Sequence, residues 1–514
     1  MQREGFIQVK TKTTEFDRSR WVILLITVVS TFMSTLDSSI VNVALPTMAE
    51  ALHVGTGDIA WVITAYLIVI TVCILFFGRL GDLKGQGRIF RQGLLVFTIG
   101  SFLCGVTHTL PLLLAARAVQ AVGAAATMAN SQGIITRTFP PQERGRALGI
   151  NGTAVALGTL VGPALGGFII SFASWEYLFW VNVPIGLAAY FANLKFSGGK
   201  DTEKKEKLDA VGAVLFTFSV APLFIALEYG QSVGYSNPWM LLLFAVSAVS
   251  FVIFLLTEKK ARMPLLDLTI FENRWFSVSI FCAFTSFVAI SCANIVLPFY
   301  LQNALGMSPG QAGLYMTIYP LVLSLAAPVS GYLSDRFGSE LLTLIGLALT
   351  SAGLLLMATL DEHPVYSVMG VFIGLMSLGN GLFQSPNNSL VMSMVPREKL
   401  GIGGSVNALI RNVGFAVGIS LSTAVLYGGM SAKLGRRVTS YVPGRNDAFL
   451  FGMRLAYIAA AGVCLVGVLV TGIRMYGRRR QEGGDSPLPE QAADTLSEQT
   501  ADAQPGQTHG DTPS

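Results

Sequence analysis

Apolar residues along this chain come in runs of about twenty, the length a helix needs to cross a hydrocarbon core about 30 Å thick. Fourteen such runs stand at roughly 22–45, 59–77, 92–107, 111–135, 147–171, 177–194, 211–230, 238–257, 276–301, 312–333, 341–359, 366–391, 402–427 and 449–473. Charged residues gather between them. The pattern therefore predicts an all-α integral membrane protein with fourteen transmembrane helices. The first run is expected to be retained, because it is too long for a cleaved leader and no small-residue cleavage site follows it.

A short pattern occurs twice, as Gly78-Arg79-Leu80-Gly81-Asp82 after the second run and Gly331-Tyr332-Leu333-Ser334-Asp335 after the tenth. A seven-run repeat would put the second copy on the opposite face of the membrane. Two six-helix bundles with a two-helix insertion put both copies on one face. The predicted order is a tail (1–20), a six-helix bundle (21–194), a charged linker (195–210), two inserted helices (211–257), a second linker (258–275), a second six-helix bundle (276–474) and a disordered tail (475–514).

Basic residues orient the chain. The segment to Arg20 has five Lys or Arg, and Arg79, Lys84, Arg137, Arg144, Lys204 and Lys259 fall in alternate loops. Both termini are therefore expected in the cytoplasm. With 52% hydrophobic and 13% charged residues the chain departs from soluble composition, and its net charge of +5 needs no nucleic-acid partner. Cys73, Cys104, Cys282, Cys292 and Cys464 all fall inside runs and read as packing residues. His53, His108, His363 and His509 are scattered, and no metal, nucleophile or nucleotide-loop motif is present, so neither an enzyme nor a cofactor is implied.

Few ionisable residues lie within the runs, where a charge costs about 2.5–3.5 kcal/mol on insertion scales. Asp37 falls in the outer half of the first run; burial there favours the neutral acid, which suits a reversible proton carrier. Arg117 shares a helix face with Gln120, Ala121 and Ala124, a small-residue surface that lets a neighbouring helix approach and puts a fixed cation within reach of a carboxylate. Arg411 is expected near the cytoplasmic end of its run, in a snorkelling or loop-pairing role, and Glu228 at the outer interface. Gly158, Gly162 and Gly166 form a flat stripe beside Pro163, read as a moving contact between the two halves with a kink.

These segments resemble the major facilitator superfamily, and within it the fourteen-span drug:proton antiporters, over roughly residues 20–475. Leu36 to Pro46 looks like that group's first-helix motif. Gly78, Leu80, Asp82, Gly85 and Arg88 are similar to the superfamily's loop motif, with Leu83 and Gln86 where basic residues are usual; the second copy keeps Asp335, Arg336 and Gly338. Arg117, Gln120 and Gly123 match the fourth-helix motif, with Ala121 for a usual glycine. Gly158, Gly162, Pro163, Gly166 and Gly167 match the fifth-helix antiporter motif. Trp175 to Gly186 resembles the sixth-helix signature, with Glu176 where arginine is common.

The resemblance implies a cell-membrane exporter of lipophilic, cationic compounds in exchange for protons, working by alternating access. Asp37 and Arg117 would couple the proton, and Asp82 would hold the cytoplasmic ends of the bundles together. Asn42, Gln120, Asn294, Tyr300 and Gln384 are the candidate polar groups of the cargo cavity. A native metabolite, a siderophore or a lipid is the alternative cargo. The implied partners are the small molecule, protons and membrane lipid, with a periplasmic adaptor protein in a host with two membranes.

Overall fold

The computed structural model describes residues 2–54, 59, 61–196, 209–261, 264–307, 309–438 and 441–484. Side chains are described between Arg20 and Met475 apart from a few positions, so expectations for the Asn42, Pro163 and Glu228 side chains lie outside the described residues. So does most of the linker 195–210 and the tail from 485.

The described residues form long helices and no strand: α1 (Gln2–Ala51), α2 (Trp61–Lys84), α3 (Gln86–Cys104), α4 (Leu110–Thr138), α5 (Pro141–Phe172), α6 (Asn182–Phe196), α7 (Ala210–Val233), α8 (Pro238–Lys260), α9 (Arg274–Phe299), α10 (Pro309–Phe337), α11 (Ser339–Met357), α12 (Tyr366–Ser393), α13 (Leu400–Leu434) and α14 (Asn446–Gly484). Among the described residues thirteen segments are long and apolar enough to cross a membrane. The helix outside that set is α3, whose first two turns carry Gln86, Arg88, Arg91 and Gln92. Its apolar residues nonetheless pack along α4, where Phe90, Leu94 and Phe97 are buried.

Boundaries shift for local reasons. α3 starts at Gln86 rather than 92, because Gly85 takes a φ of 96° and lets the chain turn directly from α2 into α3. Gly338, with φ 86°, does the same between α10 and α11, so the repeated pattern ends in a repeated turn. A separate helical turn, Tyr177–Trp180, precedes α6. Side-chain caps start α7, α8 and α9: Asp209, Asn237 and Asn273 accept from the N–H groups of Gly212, Trp239 and Trp275 at 2.8, 2.9 and 3.0 Å. The expected tail from 475 is helical to Gly484.

Among the first six helices, α3 packs on α4, α1 on α5, α2 on α4 and α3 on α6. Among the last six, α11 packs on α12, α9 on α13 and α10 on α12. The two sets meet through α5 against α10 and α2 against α13, while α7 pairs with α8 and touches α2 and α13. The chain divides into compact units Met1–Thr471 and Gly472–Ser514, and α14 enters the second at Gly472.

Candidate functional site

Asp37 on α1 is fully buried and surrounded by donors. Arg117 Nη1 donates to its Oδ2 at 2.7 Å; Gln120 Nε2 and Asn182 Nδ2 donate to Oδ1 at 2.8 and 2.9 Å. Arg117, also fully buried, donates from Nε to the Val62 carbonyl and from Nη1 to Gln120 Oε1 at 2.6 Å. Its guanidinium lies 4.0 Å from the Tyr66 ring centroid. Gln120 also donates to Ser101 Oγ at 2.8 Å. Residues from α1, α2, α3, α4 and α6 thus enclose one carboxylate–guanidinium pair. Asp37 and Arg117, both singled out in the sequence, form one ion pair, and the hydrogen-bonding groups around Asp37 are donors. Gln120 belongs to this cluster rather than to an open cavity. Asn182 falls within the sixth-helix signature, where the sequence gives it no role, and Ser101 escapes sequence reasoning, because a single serine inside an apolar run carries no signal of what it meets.

The repeated carboxylates make matching contacts. Asp82, at the end of α2, accepts from the N–H groups of Gly401 and Ile402 in the first turn of α13 at 2.7 and 2.9 Å. Asp335, at the end of α10, accepts from Gly145 and Arg146 near the start of α5 at 3.0 Å each. Each carboxylate meets the positive end of a helix from the other set of six. Close backbone approach permits both contacts: a Cβ on Gly78 would overlap Ser405, and one on Gly145 would lie 2.8 Å from the Gly331 carbonyl. Gln86, where a basic residue is usual, donates to Asp82 Oδ1 at 3.0 Å and so still serves the carboxylate. Leu83 is core, Arg88 is half-buried and Arg336 is exposed.

A further tie comes from the linker before α9. Asp267 accepts from Lys399, just before α13, at 2.5 Å. Burial works against its charge, yet the Lys399 ammonium and the Thr269 donors hold the carboxyl below the usual carboxylate range. Glu258, expected in that linker, sits instead in the last turn of α8, 2% exposed, and accepts from Leu266 N at 3.0 Å.

The α5 glycine stripe does not bridge the two sets of helices. A Cβ on Gly158 would lie 2.9 Å from Thr35 Cβ, one on Gly162 would overlap Ser39 Oγ, and one on Gly166 would lie 2.9 Å from Ile40. All three partners are on α1, and Ser39 Oγ donates to the Gly158 carbonyl at 2.9 Å. The stripe seats the part of α1 that carries Asp37. The helix instead reaches α10 through Gly145 and Gly149, on an earlier part of its length. Gly167 has nothing within 4 Å of an added Cβ.

A cavity of about 270 Å³ lies between α2, α7, α9 and α13. Asn294 lines it, with Asn412, Ser291 and Ser420 as further polar groups and Phe224, Leu227 and Phe415 among the apolar ones. The inserted helix α7 therefore forms part of its wall. Tyr300 does not line it: it is fully buried, and its hydroxyl donates to the Asp361 carbonyl at 2.7 Å, which fastens a loop. Gln384 is half-buried on α12. Arg411 stands about 16 Å along α13 at about 1.5 Å per residue, well inside the helix rather than near its end.

Multiple apolar helices, two related contacts across a central seam and an ion pair sealed inside one set of helices define a multi-pass membrane transporter. The chain belongs to the Major Facilitator Superfamily: the family model matches residues 27–270 and 279–505. It is 35% identical over 457 residues to the riboflavin transporter RibZ of Clostridioides difficile (strain 630), covering 88% of this chain and 97% of that one. It is 30% identical over 428 residues to the multidrug resistance protein Stp of Mycobacterium tuberculosis (strain ATCC 25618 / H37Rv), covering 83% and 80%. The fold is similar to that of the proton:xylose symporter XylE, with a TM-score of 0.62 at 12% identity, covering 88% of this chain and 95% of that one. These are transporters and not enzymes.

Proposed function

We propose that this protein exports lipophilic compounds from the cell in exchange for protons, by alternating access, with both termini in the cytoplasm. The observation that carries this reading is the sealed Asp37–Arg117 pair, seated on the α5 stripe through the α1 residues around it. Protonating Asp37 removes the charge that holds Arg117 and frees α1 to shift on α5. Asp82 and Asp335 act as latches at the end where the basic loops lie, so the state described is the one closed to the cytoplasm. A potential of about 150 mV supplies about 3.5 kcal/mol per proton charge, enough for a gradient of a few hundred-fold.

The expected preference for cations lacks a carboxylate to serve it. Among the described residues Asp37, Asp82, Asp335 and Glu258 are each engaged by donors, and the cavity at Asn294 is lined by neutral residues. The test is gradient-driven uptake of a lipophilic dye into proteoliposomes, wild type against Asp37→Asn. Loss in the variant supports the coupling role, and equal uptake removes Asp37 from it. A second reading, export of a native metabolite, is favoured by the 35% identity to a riboflavin transporter over most of both chains. Competition between riboflavin and the dye separates the two.

A further inference from the structure

We propose that Arg411 and Gln384 form a binding site for the anionic group of a lipophilic organic anion, where α4, α12 and α13 meet. The proposal rests on the reading of the chain as an exporter and names the class of cargo its path accepts.

The position follows from one contact. Asn407 on α13 donates from Nδ2 to Gln132 Oε1 on α4 at 2.9 Å and to Asn388 Oδ1 on α12 at 2.8 Å. That node fixes the register of the three helices. One turn along α13, away from the Asp82 latch, the same face carries Arg411. One turn back along α12, in the same direction, it carries Gln384. The equivalent residue of α4 is Met128. All three are half-buried. Further along α13, Gly414 and Gly418 pack against Phe287 and Ser291 of α9.

The chemistry follows from what Arg411 lacks. Arg117 and Arg411 both stand well inside their helices and differ sharply. Arg117 is fully buried and has a carboxylate, a carbonyl, an amide oxygen and a tyrosine ring. Among the described residues Arg411 makes no hydrogen bond or ion pair. Gln384 likewise has no hydrogen-bond partner among the described residues. A bare cation in a membrane interior is expensive to keep, and such residues mark ion and substrate pathways. A guanidinium presents a planar fork of donors that fits a carboxylate, phosphate or sulfonate in bidentate fashion. The Gln384 amide adds a donor, and Met128 a soft apolar wall suited to an aromatic body. The donor set therefore selects an anion on a lipophilic frame and disfavours a cation.

Two dyes on one three-ring frame test this: fluorescein, an anion near neutral pH, and rhodamine 123, a cation. Binding to the purified full-length protein is measured by equilibrium dialysis, without a pH gradient. The expected result is at least tenfold tighter binding of fluorescein by the wild type, a tenfold loss in Arg411→Gln with rhodamine 123 unchanged, and partial recovery in Arg411→Lys. Equal binding of the two dyes by the wild type overturns the proposal, and that result needs no variant to fold. A preference that survives in a folded Arg411→Gln also overturns it. The export reading fails separately, when no gradient drives dye flux in the wild type even though fluorescein binds.

Discussion

Replacing Asp37 by asparagine keeps the shape of the side chain and removes its charge, leaving Arg117 buried without a counter-ion. Removing one partner of a buried pair destabilises by about 3–5 kcal/mol. Gln120 and Asn182 still find an acceptor in the amide oxygen, so the loss is expected at the lower end of that range. The variant should fold, melt several degrees lower and show proton-driven flux at background. Thermal unfolding and proteoliposome uptake check the two halves of this statement. Asn182→Ala tests the cluster from another side: it removes one hydrogen bond to a charged group, about 1.5–3 kcal/mol, while the pair at 2.7 Å remains. Its expected outcome is lower stability with flux still gradient-driven. Asp37 and Arg117 are legible in the sequence because a charge inside an apolar run is conspicuous. The small-residue face around Arg117 also places a cation within reach of a carboxylate, while the atoms that meet depend on how α1 and α4 are turned.

At the scale of helices, the glycine stripe of α5 shows what spacing can and cannot tell. A period of four along one face correctly signals close approach, yet it does not name the partner, which proves to be α1. Gly162→Val should force a branched side chain into Ser39, with an overpacking cost of about 1–3 kcal/mol and displacement of the α1 segment next to Asp37. Gly167→Ala meets nothing within 4 Å and should be neutral or slightly stabilising, because alanine is the better helix former. Equal melting temperatures for the two variants would contradict this account. The latches are legible in a similar way. The repetition of Asp82 and Asp335 is visible in the sequence, while their acceptance of N–H groups from α13 and α5 is set by packing. In a background without its five cysteines, Ser405→Cys should resist a membrane-impermeant maleimide, because Ser405 is fully buried beside Gly78. Adding Asp82→Ala should expose it by releasing the start of α13.

Across the whole molecule, the insertion does more than lengthen the chain. α7 lines the cavity at Asn294, and the segment after α8 reaches Lys399, next to the residues that hold Asp82. The two-helix insertion could be inferred from the spacing of the repeated pattern, but its contact with α13 could not, because charged linker residues look alike before they find partners. The bridge from Asp267 to Lys399 gives this arrangement a pH signature. The folded carboxyl lies below its unfolded value of about 3.9, so its stabilisation is present above that value and is lost only as pH falls through the folded one. Over about pH 5.5 to 7.5 the bridge should therefore contribute a constant amount, about 1 kcal/mol or less for a partly exposed pair. Asp267→Asn should lower the melting temperature by the same small step at both ends of that range and leave the pH dependence of transport unchanged. A step that vanished at about pH 5.5 would mean that the carboxylate is already protonated there and that the linker, rather than the Asp37 cluster, senses the proton.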